Sequence, residues 1–189
     1  MSHETTPPHV AEARPFPLEP APIHVPDDVL ADLQQRRDSD SGLVPDDFTV
    51  PPDLATSQFR LEPLGPRHNA ADHAAWTGSI EHIRATPGFQ ERGWPPVAGM
   101  TLEANLADLR RHADDFARRR GFTYTVLEPA GDEVIGCVYI YPSRSDGYDT
   151  DVASWVRADR ADLDAPLYGA VTAWLSGHWP LGRLNYHPR

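Results

Sequence analysis

The stretch Asp151–Leu175, DVASWVRADRADLDAPLYGAVTAWL, constrains this chain more than any other, because it requires a strand, a tight turn and a helix in immediate succession. Val152, Ser154 and Val156 alternate with Ala153, Trp155 and Arg157 at the period of two that a strand demands. Beyond Asp164, the residues Leu167, Val171, Trp174 and Leu175 recur at helical spacing, with Pro166 in the first turn where its missing N–H costs nothing. A helix that starts directly off a strand end aims its unpaired backbone N–H groups past that strand, a geometry suited to anions. The turn itself is acidic, with Asp159 between Arg157 and Arg160 and with Asp162 and Asp164 just after them. Asp164 suits an N-cap, and a carboxylate there fills the place an anion would take. The two arginines supply phosphate contacts or are ordinary surface residues; the residues alone leave both open.

Bulk properties exclude several classes. The chain has 189 residues, enough for one domain with an appended arm. It contains no lysine, which rules out Schiff-base or lysine-nucleophile chemistry. A net charge of −11 argues against a nucleic-acid partner. The one cysteine, Cys137, lies in an apolar run as an inert core residue and can build neither a disulfide framework nor a cysteine-rich metal site. No apolar run is long enough to span a membrane and the N-terminus has no signal-peptide core, so a soluble cytoplasmic protein is expected.

Residues 1–58 form a proline-rich, acidic arm, expected to be partly disordered, with 10 of the 20 prolines and 11 acidic against 3 basic residues. Within it, Val29, Leu30 and Leu33 predict one short helix ending near Arg37. The domain proper spans 59–189. Phe59, Leu61 and Leu64 predict a first strand, and His73, Trp76, Ile80 and Ile83 fall on one face of a single helix starting at Asn69. A loop carrying Phe89 and Trp94 follows, a lid or a packed connection. Thr101 caps a helix with the stripe Leu102, Leu106, Leu109, Ala113 and Phe116, and Arg118, Arg119 and Arg120 complement its C-terminal dipole. Phe122–Leu127 and Val134–Tyr141 read as a hairpin in which Gly136 marks a bulge. Leu184 and Tyr186 predict a short last strand.

The strand-turn-helix frame, anchored on Val156 and running through Ala158 and Asp159 to Trp174 and Leu175, resembles the cofactor motif of the GNAT acetyltransferases: strand, Val-x-Pro-Glu-x-Arg-Gly-x-Gly-x-Gly/Ala, helix. The order strand, helix, helix, three antiparallel strands, helix, strand over residues 59–187 is similar to that fold. The motif is degenerate, since Asp162 and Asp164 stand where the first two family glycines fall, and the chain ends before the family's fourth helix and last two strands. The resemblance implies an α/β (α+β) fold with a mixed, mostly antiparallel sheet flanked by helices. It implies an acyl-CoA-dependent N-acetyltransferase with acetyl-CoA as donor and a small-molecule or peptide amine as acceptor. By position, Ser154, Trp155 and Val156 would hold the acetyl and pantetheine parts, and Arg157 and Arg160 the phosphates.

Acyl transfer to an amine also needs a base and an acid. Glu81 and His82, at a helix end near a loop, are the candidate base pair, and Tyr139 is the candidate acid, with Tyr141 and Tyr186 behind it. Each has a plainer reading: an exposed helix-end pair, and cross-strand packing tyrosines. No zinc helix, phosphate loop or nucleophile turn is present, so no metal is expected. The rival class is a non-catalytic binding protein with the same fold that has lost coenzyme A. A further expectation is a homodimer in which a second copy supplies the missing strands.

Overall fold

The computed structural model describes residues 42–189; the helix expected before Arg37 and most of the arm lie outside the described residues. Six strands form one sheet in sequence order: β1 (Leu54–Ala55), β2 (Arg60–Pro63), β3 (Phe122–Leu127), β4 (Val134–Pro142), β5 (Thr150–Val156) and β6 (Leu184–Tyr186). Every neighbouring pair is antiparallel except β5 and β6, which run parallel. Helices α1 (Asn69–Thr77), α2 (Ile80–Ala85) and α3 (Leu102–Ala117) pack on one face, and α4 (Asp164–His178) on the other. This is the mixed, mostly antiparallel sheet flanked by helices that the sequence implies. Residues ahead of Phe59 also pack on the core: Val44 is buried, and Leu43, Phe48 and Leu54 lie against the α4 side.

The core divides by strand alternation. Val152 and Val156 meet Leu167, Val171 and Trp174 of α4, while Ala153 and Trp155 meet Trp76, Ile83 and Leu109 on the opposite face. In β4 the alternation slips by one residue. Val126 pairs with Gly136 but Leu127 pairs with Val134, leaving Ile135 as the extra residue of the bulge expected at Gly136. The slip sends Val138 and Ile140 to the α4 face and Cys137 and Tyr139 to the other. Glycine is required at the bulge, because a Cβ on Gly136 would lie 2.0 Å from the Trp155 carbonyl oxygen of β5.

Three local expectations need correction. The single helix predicted from Asn69 through Ile83 breaks at Gly78–Ser79, where Ser79 leaves helical geometry (φ −135°, ψ 19°). The cause is tertiary: the Ser79 hydroxyl accepts the Ala158 N–H at 3.0 Å, tying the break to the turn after β5. The stripe predicted on α3 is rotated. Asn105, Leu109 and His112 face inward, while Leu102 is 48% exposed. Thr101 does cap α3, accepting the Ala104 N–H at 3.1 Å. Asp164 is the first residue of α4 rather than its N-cap, which is Leu163, and its carboxylate is drawn to Arg189 instead of to the helix backbone.

Candidate active site

The rotation of α3 has a chemical reason. Asn105 accepts the Trp76 indole N–H at 2.9 Å and donates to Asp72 Oδ2 at 3.0 Å and to Asn69 Oδ1 at 2.9 Å, locking α3 to α1. Burial raises the Asp72 carboxyl, and the amide of Asn105 works against that rise. One turn beyond Leu109, His112 lies inside a second polar network. Its Nδ1 is 2.7 Å from Tyr141 Oη and 3.0 Å from Thr123 Oγ1, and Tyr141 in turn donates to Asp115 Oδ2 at 3.2 Å. His112 Nε2 stands 3.4 Å from Asp108 Oδ2.

These groups border a cavity of about 550 Å³ between α3, β4 and the loop 86–101. Its apolar wall is Phe89, Trp94, Met100 and Tyr139, and its polar wall is Asp108, Arg111 and His112. Trp94 is the keystone, with ring centroids 5.8 Å from Phe89, 6.0 Å from Tyr139 and 6.1 Å from Trp155. The cavity runs on toward Tyr141, Ser143, Arg144 and Asp151, with Arg92 at the junction.

Charge in the cavity is sorted by environment. Burial pushes the Asp108 carboxyl up, but hydrogen bonding to His112 and Arg111 outweighs it and holds the group at about 2, against an ordinary 3.8, so it is ionised at neutral pH. Burial drives the Tyr139 hydroxyl well above its ordinary value, so it stays protonated. That hydroxyl also accepts the Trp155 indole N–H at 3.2 Å. The Cys137 thiol is wholly buried and likewise pushed up, which leaves it inert. Among the described residues, no three His, Cys, Asp or Glu side chains are placed to hold a metal ion, and no helix is long and apolar enough to cross a membrane.

The second feature is a gap in the sheet. β5 and β6 pair from Thr150/Leu184 to Val152/Tyr186 and then part, so among the described residues the outer edge of β5 has no strand beside it at Ser154. Arg189 fills the gap. Its Nη2 donates to the Ser154 carbonyl at 2.7 Å, its Nη1 to the Pro87 carbonyl at 3.3 Å, and its Nε lies 2.7 Å from Asp164 Oδ2. The guanidinium carbon sits 5.7 Å from the Tyr186 ring centroid and 5.9 Å from that of Tyr168. As the chain folds here, these residues do not fit the coenzyme that the fold implies. A guanidinium fills the gap, a carboxylate stands at the start of α4, and the Ala158 N–H of the turn is already taken by Ser79.

Of the residues singled out from sequence, Tyr139 lines the cavity, whereas Glu81 and His82 do not. Glu81 is exposed, and His82 Nε2 is buried with no hydrogen-bond partner among the described residues. Ser154, Trp155 and Val156 are buried in β5, and the Ser154 hydroxyl bonds the Tyr186 hydroxyl at 2.5 Å. Arg157 is engaged by Glu133 and Asp159, and Arg160 by Glu128. Sequence reading sets aside His112, one helical turn from Asp115, for want of a zinc helix, and passes over Asp108 and Arg189. The signal for His112 and Asp108 was their i, i+4 spacing on α3; Arg189 carried none.

No family model and no curated protein matches the chain. Solved structures do. A Vibrio cholerae protein assigned as a ribosomal-protein-serine acetyltransferase superposes with a TM-score of 0.54 at 11% identity, over 72% of this chain and 75% of that one. The ribosomal-protein-S5-alanine acetyltransferase of Vibrio fischeri gives 0.51 at 12% identity, over 65% and 66%. The microcin C7 self-immunity acetyltransferase MccE, solved with acetyl-CoA and AMP, gives 0.50 at 10% identity, over 66% and 67%. The match spans 61% of the ribosomal L7/L12 acetyltransferase RimL, so less than two thirds of that protein is represented. Together with the element order, these likenesses identify the fold of this chain as that of the GNAT acetyltransferases.

Proposed function

We propose that this chain is an acyl-CoA-dependent N-acetyltransferase whose acceptor is an amine on a small molecule or on a peptide or protein. The observation that carries the reading is the aromatic cavity, in which an ionised carboxylate, an imidazole and a protonated phenol border one apolar space. The ribosomal-protein acetyltransferases among the structural neighbours support a peptide amine as one form of acceptor. Acetyl-CoA, when bound, supplies the acyl group as an activated thioester.

The chain's own residues prepare the acceptor. Phe89, Trp94 and Met100 exclude water around an amine in the cavity, whose polar wall is the Asp108–Arg111 ion pair and His112. His112 then takes the proton. Neutral, with its ring hydrogen on Nδ1 toward Tyr141 Oη, which donates to Asp115, His112 gives up the Nε2 hydrogen bond that holds the Asp108 carboxyl down, and it regains that bond as the imidazolium on taking the proton. An ammonium between Nε2 and the carboxylate bonds both, and the imidazolium formed on proton transfer is stabilised by Asp108. Tyr139 holds a proton at Oη beside the Trp155 indole, in reserve for a leaving group. Glu81 and His82 are the competing base pair, and kinetics of their variants separate the two assignments.

A panel of amines, including N-terminal peptides and diamines, assayed with acetyl-CoA for thiol release and for acetylated product tests the proposal. Turnover of at least one amine is expected; a folded protein that acetylates none would remove it. Asp162 and Asp164 favour the alternative of a binding protein without coenzyme, which predicts that empty panel.

A further inference from the structure

We propose that the Arg189 guanidinium is a latch on the gap between β5 and β6, closed on Asp164, and that coenzyme binds only when the latch opens. The proposal rests on the acyl-transfer reading and names a regulation of that same site.

The latch is a built contact. The Arg189 side chain is 4% exposed and that of Asp164 20%, so the ion pair is largely withdrawn from water. Three carbonyl acceptors, from Ser154, His187 and Pro87, and two aromatic rings, from Tyr168 and Tyr186, complete a shell around the cation. At the same time Asp164 Oδ1 is buried without a hydrogen-bond partner among the described residues. The closed state thus carries an unsatisfied acceptor, the mark of a contact that can be exchanged.

Competition follows from what the gap offers. Where β6 leaves, β5 presents a strand edge, and a ligand with amide groups pairs with such an edge as an added strand would. The Ser154 carbonyl belongs to that edge and is already bonded by Arg189. The guanidinium and an amide-bearing arm cannot both occupy it. The Asp164 carboxylate, at the first turn of α4, likewise stands where the helix would otherwise attract an anion.

The latch also reaches the acceptor side. The Pro87 carbonyl belongs to the loop that supplies Phe89 and Trp94, and the His187 ring would lie 3.3 Å from a Cβ on Gly88. Release of Arg189 therefore removes one tie on the loop that walls the cavity, leaving those of Arg84 to Pro95 and His73 to Met100, so donor binding and acceptor access are coupled through Pro87.

The test is calorimetric titration of the full 189-residue chain with desulfo-CoA, comparing wild type with the double variant Asp164→Asn/Arg189→Met. Removing both partners avoids stranding one buried charge, and melting curves verify that each protein is folded. A latch closed in nine molecules of ten weakens apparent affinity about tenfold, so the double variant should bind ~10-fold tighter or better. Equal affinity in both proteins would overturn the latch and leave acyl transfer standing. No binding by either would overturn the latch and the coenzyme reading together. In case the double variant does not fold, the wild type gives a second reading. The Arg189 Nη–H resonances, shielded by burial and by their bonds to the His187 and Ser154 carbonyls, should lose protection from exchange as desulfo-CoA is added, and unchanged protection at saturation would refute the proposal.

Discussion

Gly136→Ala is the substitution the sheet should tolerate least. The new Cβ would sit 2.0 Å from the Trp155 carbonyl oxygen, and the next nearest atoms, Trp155 C and Val156 Cα, are also backbone at 3.0 and 3.1 Å. Nothing flexible can yield. β4 must retreat from β5 by roughly an ångström, at an overpacking cost of about 1–3 kcal/mol. The retreat also strains the bond by which Arg157 donates its N–H to the Ile135 carbonyl at 2.8 Å. A hydrogen bond of that kind contributes about 1 kcal/mol. Alanine returns about 0.4–1 kcal/mol by restricting the unfolded chain. The balance is a loss of about 2–3 kcal/mol, or a melting temperature lower by about 4–12 °C at this chain length. Urea unfolding followed by tryptophan fluorescence, with calorimetry alongside, measures it. A loss below about 1 kcal/mol with an unchanged m-value would show that the two strands do not approach this closely, and would undo the reasoning that places Tyr139 in the cavity.

Three further outcomes are expected. Asn105→Ala strands the Trp76 indole N–H and the Asp72 carboxyl inside the protein, so it should cost about 3 kcal/mol in urea unfolding, and a near-neutral result would contradict the network. The Asp108 carboxyl is lowered from 3.8 to about 2. Its contribution is therefore present above pH 4 and lost as pH falls from 4 toward 2, and is worth about 1 kcal/mol once exposure is discounted. Asp108→Asn should flatten that part of the stability curve, and an unchanged acid slope would count against it. His112→Asn should lower kcat about 10²-fold or more with the most active amine while His82→Asn leaves it unchanged, and the reverse pattern would hand the base to His82.

How far the sequence disclosed this molecule depends on where each side chain finds its partners. The change from period two to helical spacing between Val156 and Leu167 marks β5 and α4 without tertiary information, because both faces of that strand and one face of that helix are apolar. Gly136 was legible for a similar reason, since a glycine inside a strand pattern marks close backbone approach. α3 was misread because apolar periodicity is blind to polar residues that are satisfied inside. Asn105 and His112 take inward positions that Leu102 and Leu106 would otherwise hold, and only Trp76 and Tyr141, from distant elements, make that stable. Arg189 is the extreme case. The contacts that place it on the gap lie at Pro87, Ser154 and Asp164, far off in sequence, so no local pattern foreshadows it.

The most direct test of acyl transfer in the aromatic cavity is the rate of acetylated-amine formation by Tyr139→Phe against wild type. The two are compared at equal folded fraction, with thiol release counted in the same samples. The expected result is one acetylated amine per thiol in wild type and a rate about 10²-fold lower in the variant. An unchanged rate in Tyr139→Phe, or thiol release without acetylated amine, would contradict it.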